Sequence, residues 1–224
     1  MSGSSSSLPE LNLVLCGSDG ALKASISDLL LGQRGQTVES SSVCVIRKGE
    51  VSGHLIRLVE MPALHTQLSE QEVMRRTLHC VSVCDPGVHA FIIILPVGPL
   101  TDEDKAEIQM IQRIFGSRVN DHTVVLFTNP SDNDEAAAKF VEQSSETEQL
   151  LSMCGGRYII LKKRLKHDSL KKVQALLRHV TEMVTVNKLY SLLMYVEAQK
   201  DGVKQLEKRL AEMEKTIQQL KTKQ

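Results

Sequence analysis

Two groups of residues have types and spacings that could do chemistry. The first is Gly17-Ser-Asp-Gly20-Ala-Leu-Lys23-Ala24. In a phosphate-binding loop, glycines let backbone N–H groups turn inward on the anion. A lysine then reaches the outer phosphates, and the hydroxyl after it holds Mg2+. Gly17 and Lys23 stand at the required G-x-x-x-x-x-K separation, but Leu22 takes the place of the second glycine and Ala24 that of the hydroxyl. The spacing alone serves either a phosphate loop or an ordinary strand-to-helix turn. Lys23 then either holds a phosphate weakly beside a helix N-terminus or stands on the surface in the first helical turn. The second group is Cys80 and Cys84 with His79 and His89 nearby. It can be drawn as a metal site, but no second ligand pair follows at zinc spacing. The expectation is core cysteines on a helix and no metal.

These residues must be positioned by the elements around them. Leu11–Cys16 is an apolar run ending at a glycine, which predicts a buried strand, and Lys23–Leu31 has apolar residues at helical spacing. Gly32–Ser42 is polar and patternless, predicting a loop. Val43–Arg47 and His54–Val59 flank Lys48–Gly53 and predict a hairpin, broken off by Met61-Pro62-Ala63. A helix is predicted over Glu70–Cys84, then a strongly buried strand over Ala90–Leu95. Thr101 caps an acidic first turn, predicting a helix to Phe115 that stops at Gly116. A strand over Thr123–Thr128, helices over Ala136–Gln143 and Ser145–Met153, a strand over Arg157–Lys162 and a helix over Ser169–Val184 follow. Strands alternating with helices predict an α/β fold with a mostly parallel sheet covered on both faces.

Beyond residue 186 the rhythm changes. Leu189, Leu192, Val196, Val203, Leu206, Leu210, Met213, Ile217 and Leu220 recur at spacings of three and four, interrupted only by Gln199. This uncharged heptad seam cannot be buried by one helix alone. It either pairs with a second chain, making a homo-oligomer through residues 189–220, or folds back on the domain. The predicted organisation is a disordered tail over residues 1–10, a domain over 11–186 and a coiled-coil helix over 187–224.

Composition excludes several function classes. The 224 residues carry 27 Lys+Arg and 27 Asp+Glu, so no bulk positive charge favours nucleic acid. The neutrality averages two unlike parts: residues 1–156 have 11 basic and 20 acidic side chains, residues 157–224 have 16 and 7. An acidic body joined to a basic tail predicts association that weakens in about 0.5 M salt. Four Phe, three Tyr and no Trp leave little for base-stacking platforms. Five scattered cysteines suit reduced thiols in the cytoplasm. Met1–Ser7 has no apolar core of a secretory signal, and the longest apolar run stops at Pro96, far short of a transmembrane span. The basic tail leaves contact with an anionic membrane surface open, although a solvated helix face is its ordinary meaning. The opening Met1 and the completed seam predict a chain that stands by itself.

The stretch Gly17-Ser-Asp-Gly-Ala-Leu-Lys-Ala-Ser-Ile-Ser-Asp-Leu-Leu-Leu-Gly32 matches the length and the closing Leu-Leu-Gly of G-K-x-G-x-G-K-S-A-x-G-N-S-I-L-G. That pattern marks the GTPases of immunity-associated proteins, the GIMAP family of septin-like G domains. Leu78–Leu95, with its Pro86-Gly-Val-His-Ala90, resembles a segment peculiar to that family. Thr101-Asp-Glu-Asp104, Ile111–Gly116, Val125–Thr128 and Gly156-Arg-Tyr158 also fit, so the resemblance covers Leu11 to Val186. It implies a P-loop NTPase fold of three layers, with GTP or GDP held by Gly17, Ser18, Asp19, Gly20, Ala21, Leu22, Lys23, Ala24, Ser25, Asn129, Ser131 and Lys162. It also implies residence in the cytoplasm or at an organelle surface.

The nucleotide motifs are where the chain departs from the family. Glu60-Met-Pro-Ala63 stands for D-x-x-G, whose acid serves Mg2+ and whose glycine senses the γ-phosphate. Thr128-Asn-Pro-Ser131 replaces the guanine-reading acid with Ser131 unless Asp132 moves in. Leu161-Lys162-Lys163 replaces the last base loop, and the first switch offers only Thr37 or Ser41 for its metal-linked threonine. No glutamine or histidine is placed to orient a water. These departures predict weak or absent GTP binding, no Mg2+, no catalytic residue, and a degenerate G domain used for assembly. The alternative is a working GTP-binding protein that dimerises through its nucleotide face.

Overall fold

Parallel strands buried on both faces need near-continuous apolar runs, and three segments have them: Glu10–Cys16 (β1), Ala90–Pro96 (β5) and Thr123–Asn129 (β6). The structure, a computed structural model, describes residues 9–32, 35–40, 43–131, 133–162 and 166–221. The other strands are Gln36–Ser40 (β2), Val45–Val51 (β3), His54–Glu60 (β4) and Tyr158–Lys162 (β7). They form one seven-stranded sheet in the order β2-β3-β4-β1-β5-β6-β7. β4, β1, β5, β6 and β7 pair in parallel, whereas β3 runs antiparallel to both β2 and β4. The hairpin turn at Ser52-Gly53 has positive φ at both residues (49° and 79°), the geometry that matches strand twist across a two-residue loop.

The helices are Gly20–Leu31 (α1), Glu70–Ser82 (α2), Asp102–Phe115 (α3), Asp134–Gln143 (α4), Ser145–Met153 (α5), Lys166–Asn187 (α6) and Leu192–Lys221 (α7). α1 and α6 cover one face of the sheet, packing Ile26, Leu30, Val173, Leu176 and Val180 on Leu13, Leu15, Ile92 and Leu126. α2, α3 and the start of α7 cover the other, through Val73, Cys80, Ile111, Phe115 and Tyr195 on Val14, Phe91 and Ile93. The result is the three-layer α/β fold expected. α3 opens with the hydroxyl cap foreseen at Thr101, and the structure completes it into a capping box: the hydroxyl accepts from Asp104 N while the Asp104 carboxylate accepts from Thr101 N.

Three expectations need correction. The polar segment read as a loop contains β2, an edge strand with exposed Thr37 and Val38. An edge has no second strand to cover it, so it lacks the apolar alternation that announces buried strands. Second, α1 starts at Gly20 rather than Lys23, because Asp19 caps it. Third, packing continues past Val186. Tyr190 is fully buried, its hydroxyl donates to Phe115 O (2.7 Å), and its ring meets those of Phe91, Phe115 and His122. Val88 and Tyr190 exchange backbone hydrogen bonds of 2.9 Å. Tyr195 Oη lies 2.9 Å from Thr77 Oγ1, Gln199 Nε2 donates to Ile114 O (2.6 Å), and Arg118 pairs with Glu197. After Gly202 contact with the body ends, and Val203, Leu206, Leu210, Met213, Ile217 and Leu220 are 48 to 62% exposed. The first turns of the tail thus fold back on the domain, while its remainder projects with its apolar seam exposed. Among the described residues no helix is long and apolar enough to cross a membrane.

Candidate functional site

In a doubly wound sheet the crevice opens beyond the carboxyl ends of the strands, where successive connections leave in opposite directions. Here that point lies between β1, whose chain leaves through α1, and β5, whose chain leaves through α3. A cavity of about 300 Å³ occupies it, lined by Ser18, Asp19, Leu22, Ile94, Pro96, Thr101, Asp104, Thr128 and Pro130. The sequence-predicted loop residues are therefore brought to the place where this fold binds ligands.

Their local geometry is specific. Gly17 has φ 150°, and a Cβ there would stand 2.9 Å from Ile94 O, so only glycine fits between β1 and β5. Gly20 carries no such demand, since an added Cβ would meet nothing within 4 Å. Asp19 is extended (φ −97°, ψ 107°), and its carboxylate accepts from Leu22 N at 3.0 Å. One of the amides that would greet a phosphate is thereby satisfied by the chain's own anion. Ala21, Ala24 and Ser25 are exposed.

Lys23 is neither on the surface nor open to the cavity. It is 3% exposed, and its Nζ donates to Gly17 O and Met61 O, both at 2.7 Å. Burial lowers its pKa, against which Glu107 is the largest opposing charge. The lysine staples the loop after β1 to the segment after β4. That segment is held again from α3. Glu107, 1% exposed, accepts through one oxygen from Leu64 N (2.7 Å), His65 N (2.9 Å) and His65 Nδ1 (3.0 Å). Its other oxygen is buried with no hydrogen-bond partner among the described residues. Glu60-Met-Pro-Ala63 leads directly into these contacts.

Asp104 completes the arrangement. Its Oδ1 accepts from Ser18 Oγ at 2.6 Å, which ties the phosphate-loop position to α3. The charged groups lining the cavity are thus two carboxylates, Asp19 and Asp104. Sequence reasoning missed Asp104 and Glu107 as members of the site. Asp104 reads as one of the acids of a helix first turn, and Glu107 has no local signal, because its partners lie more than 40 residues away.

At the base-reading end, Asn129 is buried and closed on its own turn. Its Oδ1 accepts from Ser131 N and Ser131 Oγ (both 3.0 Å), and its Nδ2 donates to Asn133 O (3.2 Å). Lys162 pairs with Asp134 at 2.9 Å. Thr37 is exposed on the β2 edge. Ser41, Asp132 and Lys163 lie outside the described residues. Of the second sequence-predicted group, Cys80 and Cys84 are buried as expected for core thiols, and burial pushes Cys84 up to about 12. His89 belongs to the opposite end of the sheet, where its Nδ1 accepts from Asn12 N at 3.0 Å.

Comparison with known proteins agrees with this architecture. The chain is 28% identical over 196 residues to human GTPase IMAP family member 8, which covers 84% of this chain and 30% of that protein. It is 27% identical over 217 residues to immune-associated nucleotide-binding protein 9 of Arabidopsis thaliana, covering 89% of this chain and 63% of that one. It therefore spans from 30% to 63% of the length of these relatives. Among solved structures, Arabidopsis thaliana Toc33 in complex with Mg2+ and GMPPNP superposes with a TM-score of 0.59 at 14% identity, over 81% of this chain and 87% of that one. That likeness places the fold among G domains. The AIG1 family pattern matches residues 11–210, nine-tenths of the chain including the docked start of α7, and the chain belongs to the AIG1 family.

Proposed function

We propose that this AIG1-family chain is a degenerate G domain, with weak or no GTP binding and hydrolysis, that works as an assembly module. The observation that carries the reading is Asp19. Its carboxylate caps the helix whose N-terminus would receive phosphate. The remaining groups do not fit a magnesium-bound guanine nucleotide either. Lys23 is engaged by two carbonyls, Ala24 offers no hydroxyl, and Ser131 offers no charge to the base. Each charge-assisted hydrogen bond contributes ~1.5–3 kcal/mol. Losing several costs ~4–8 kcal/mol, which takes a micromolar binder to millimolar or weaker.

The competing reading is a GTP-binding protein that dimerises through its nucleotide face. It rests on the retained Gly17 and Lys23, on the cavity, and on the names of the relatives. One titration separates the two: fluorescent GTP analogue with Mg2+ against the full chain. The degenerate reading expects no saturation in the micromolar range. Tight binding that is lost in Lys23→Ala would overturn it.

For assembly, the exposed seam of α7 is the element offered. Counting its heptads places Val203, Leu210 and Ile217 at a and Leu206, Met213 and Leu220 at d. β-Branched residues at a with Leu at d favour two parallel strands, and two of the three a positions (Val203, Ile217) and two of the three d positions (Leu206, Leu220) have that character. Arg209 then falls at g, facing Glu214 of the partner subunit at e. Sedimentation equilibrium of the full chain is expected to show a dimer, and Leu210→Glu a monomer with unchanged circular dichroism. A dimer that persists in Leu210→Glu would move the interface to the body.

A further inference from the structure

We infer that Glu39, Cys44 and His79 form a binding site for a thiophilic divalent cation, Zn2+ being the ion that suits a thiolate, an imidazole and a carboxylate together. One ligand atom from each residue lies within 4.8 Å of the others. Three elements deliver them: β2 carries Glu39, the residue before β3 is Cys44, and the last turn of α2 carries His79. Three protein ligands and one open position is the coordination that zinc adopts where a water or another group completes the tetrahedron.

The fit is finer than proximity. In a tetrahedron with metal–nitrogen and metal–oxygen bonds of about 2.0–2.1 Å, two ligand atoms stand about 3.3 Å apart. His79 Nε2 is 3.3 Å from Glu39 Oε1. That nitrogen is buried and makes no hydrogen bond among the described residues, so the contact is not one in which the ring donates with good geometry. A metal set to one side of the line between the two atoms, within bonding distance of each, would satisfy it. Cys44 is 1% exposed, whereas the side chains of Glu39 and His79 are a third to two-fifths exposed, so the ion has a path in from solvent. Behind Cys44 lies the thiol of Cys80, in hydrogen-bond contact with it, a further group able to orient the ligating sulfur.

The strand is shaped to bring Glu39 there. β2 and β3 pair Thr37 with Arg47 and Glu39 with Ile46, leaving Val38 as an extra residue. Such a bulge turns the following side chain to the other face of the sheet. Arg47 faces α1, hydrogen-bonding Ser27 and Asp28, while Ile46 and Cys44 belong to the core under α2. The bulge therefore moves Glu39 from the α1 side to the α2 side, beside His79, and leaves Val38 60% exposed.

The test is a Co2+ titration of the metal-stripped full chain. One equivalent is expected to give a thiolate-to-cobalt charge-transfer band with d–d bands of tetrahedral intensity, all bleached by Zn2+. Cys44→Ser is expected to abolish the charge-transfer band, and Glu39→Gln and His79→Gln each to weaken Co2+ binding tenfold or more. Cys154→Ser, a remote buried thiol, is expected to change nothing. The site is overturned if the native chain gives no charge-transfer band. It is equally overturned if the band survives in Cys44→Ser, or if both Glu39→Gln and His79→Gln bind as tightly as the native chain. Those two half-exposed positions keep the test decisive should Cys44→Ser fail to fold.

Discussion

The two ends of the central sheet differ. At the carboxyl ends of the strands, three of the sequence-predicted site residues are engaged within the protein: Lys23 by two carbonyls, Asp19 by its own helix, Asn129 by its own turn. At the amino ends, the Cys84–Ala90 segment is held with unusual care. Asn12 Nδ2 donates to Cys84 O, Asp85 O and Gly87 O, and a Cβ on Gly87 would stand 2.8 Å from Leu189 Cβ. Val88 then bridges to Tyr190. The family's Pro-Gly-x-His-Ala segment is thus the seat of the C-terminal helix. Four of the chain's seven Phe and Tyr residues, Phe91, Phe115, Tyr190 and Tyr195, gather there. Close aromatic packing marks the place where the tail docks, while the cleft is lined by two carboxylates, Asp19 and Asp104, and, among the described residues, no cation.

This contrast can be broken by substitution. Tyr190→Ala removes a fully buried ring and leaves Phe115 O unpaired, and we expect a loss of ~3–5 kcal/mol in urea unfolding. A loss below about 1 kcal/mol would show that the tail is only laid on the body. Lys23→Met is expected to cost ~1–3 kcal/mol, since Gly17 O and Met61 O lose their donor, and to leave the nucleotide titration unchanged. In a working cleft the same change removes binding instead. Asp19→Ala should cost about 1 kcal/mol as a lost helix cap. If the carboxylate is what closes the anion site, inorganic phosphate should bind this variant more tightly than the native chain, as followed by calorimetry.

The smallest effect is one of pH. Burial lowers the pKa of His89 below its ordinary 6.5, and its Nδ1 must stay unprotonated to accept from Asn12 N. The unfolded chain therefore takes up the proton first as pH falls. Stability is full above 6.5 and declines as the pH drops below it. His89→Gln is expected to flatten that part of the melting-temperature profile. A profile identical to that of the native chain would place the titration elsewhere.

Most of the scaffold was legible because its signals are local. β1, β5 and β6 are unbroken apolar runs, and Thr101 and Gly116 punctuate α3 by side-chain and backbone chemistry acting within a few residues. β2 was hidden because an edge strand needs no apolar face. The loop residues lie at the cleft because they connect β1 to α1, yet their use was not readable. Whether Lys23 meets a phosphate or two carbonyls depends on Met61, 38 residues away, and on Glu107 beyond it. Tyr190, in the connection between α6 and α7, and Tyr195, in the first turn of α7, lie outside the a/d seam, so the heptad pattern carries no sign of their burial.

The free part of α7 has a mechanical consequence. Val203–Lys221 is 19 residues of helix, a rod of about 28 Å at 1.5 Å per residue. Its side chains are exposed along that whole length, so a partner can engage the rod without displacing the packing of the body. In a parallel pair both bodies hang from the same end of the rod. Each then sees its twin at an effective concentration near the millimolar range, and a face too weak to bind singly becomes useful when doubled.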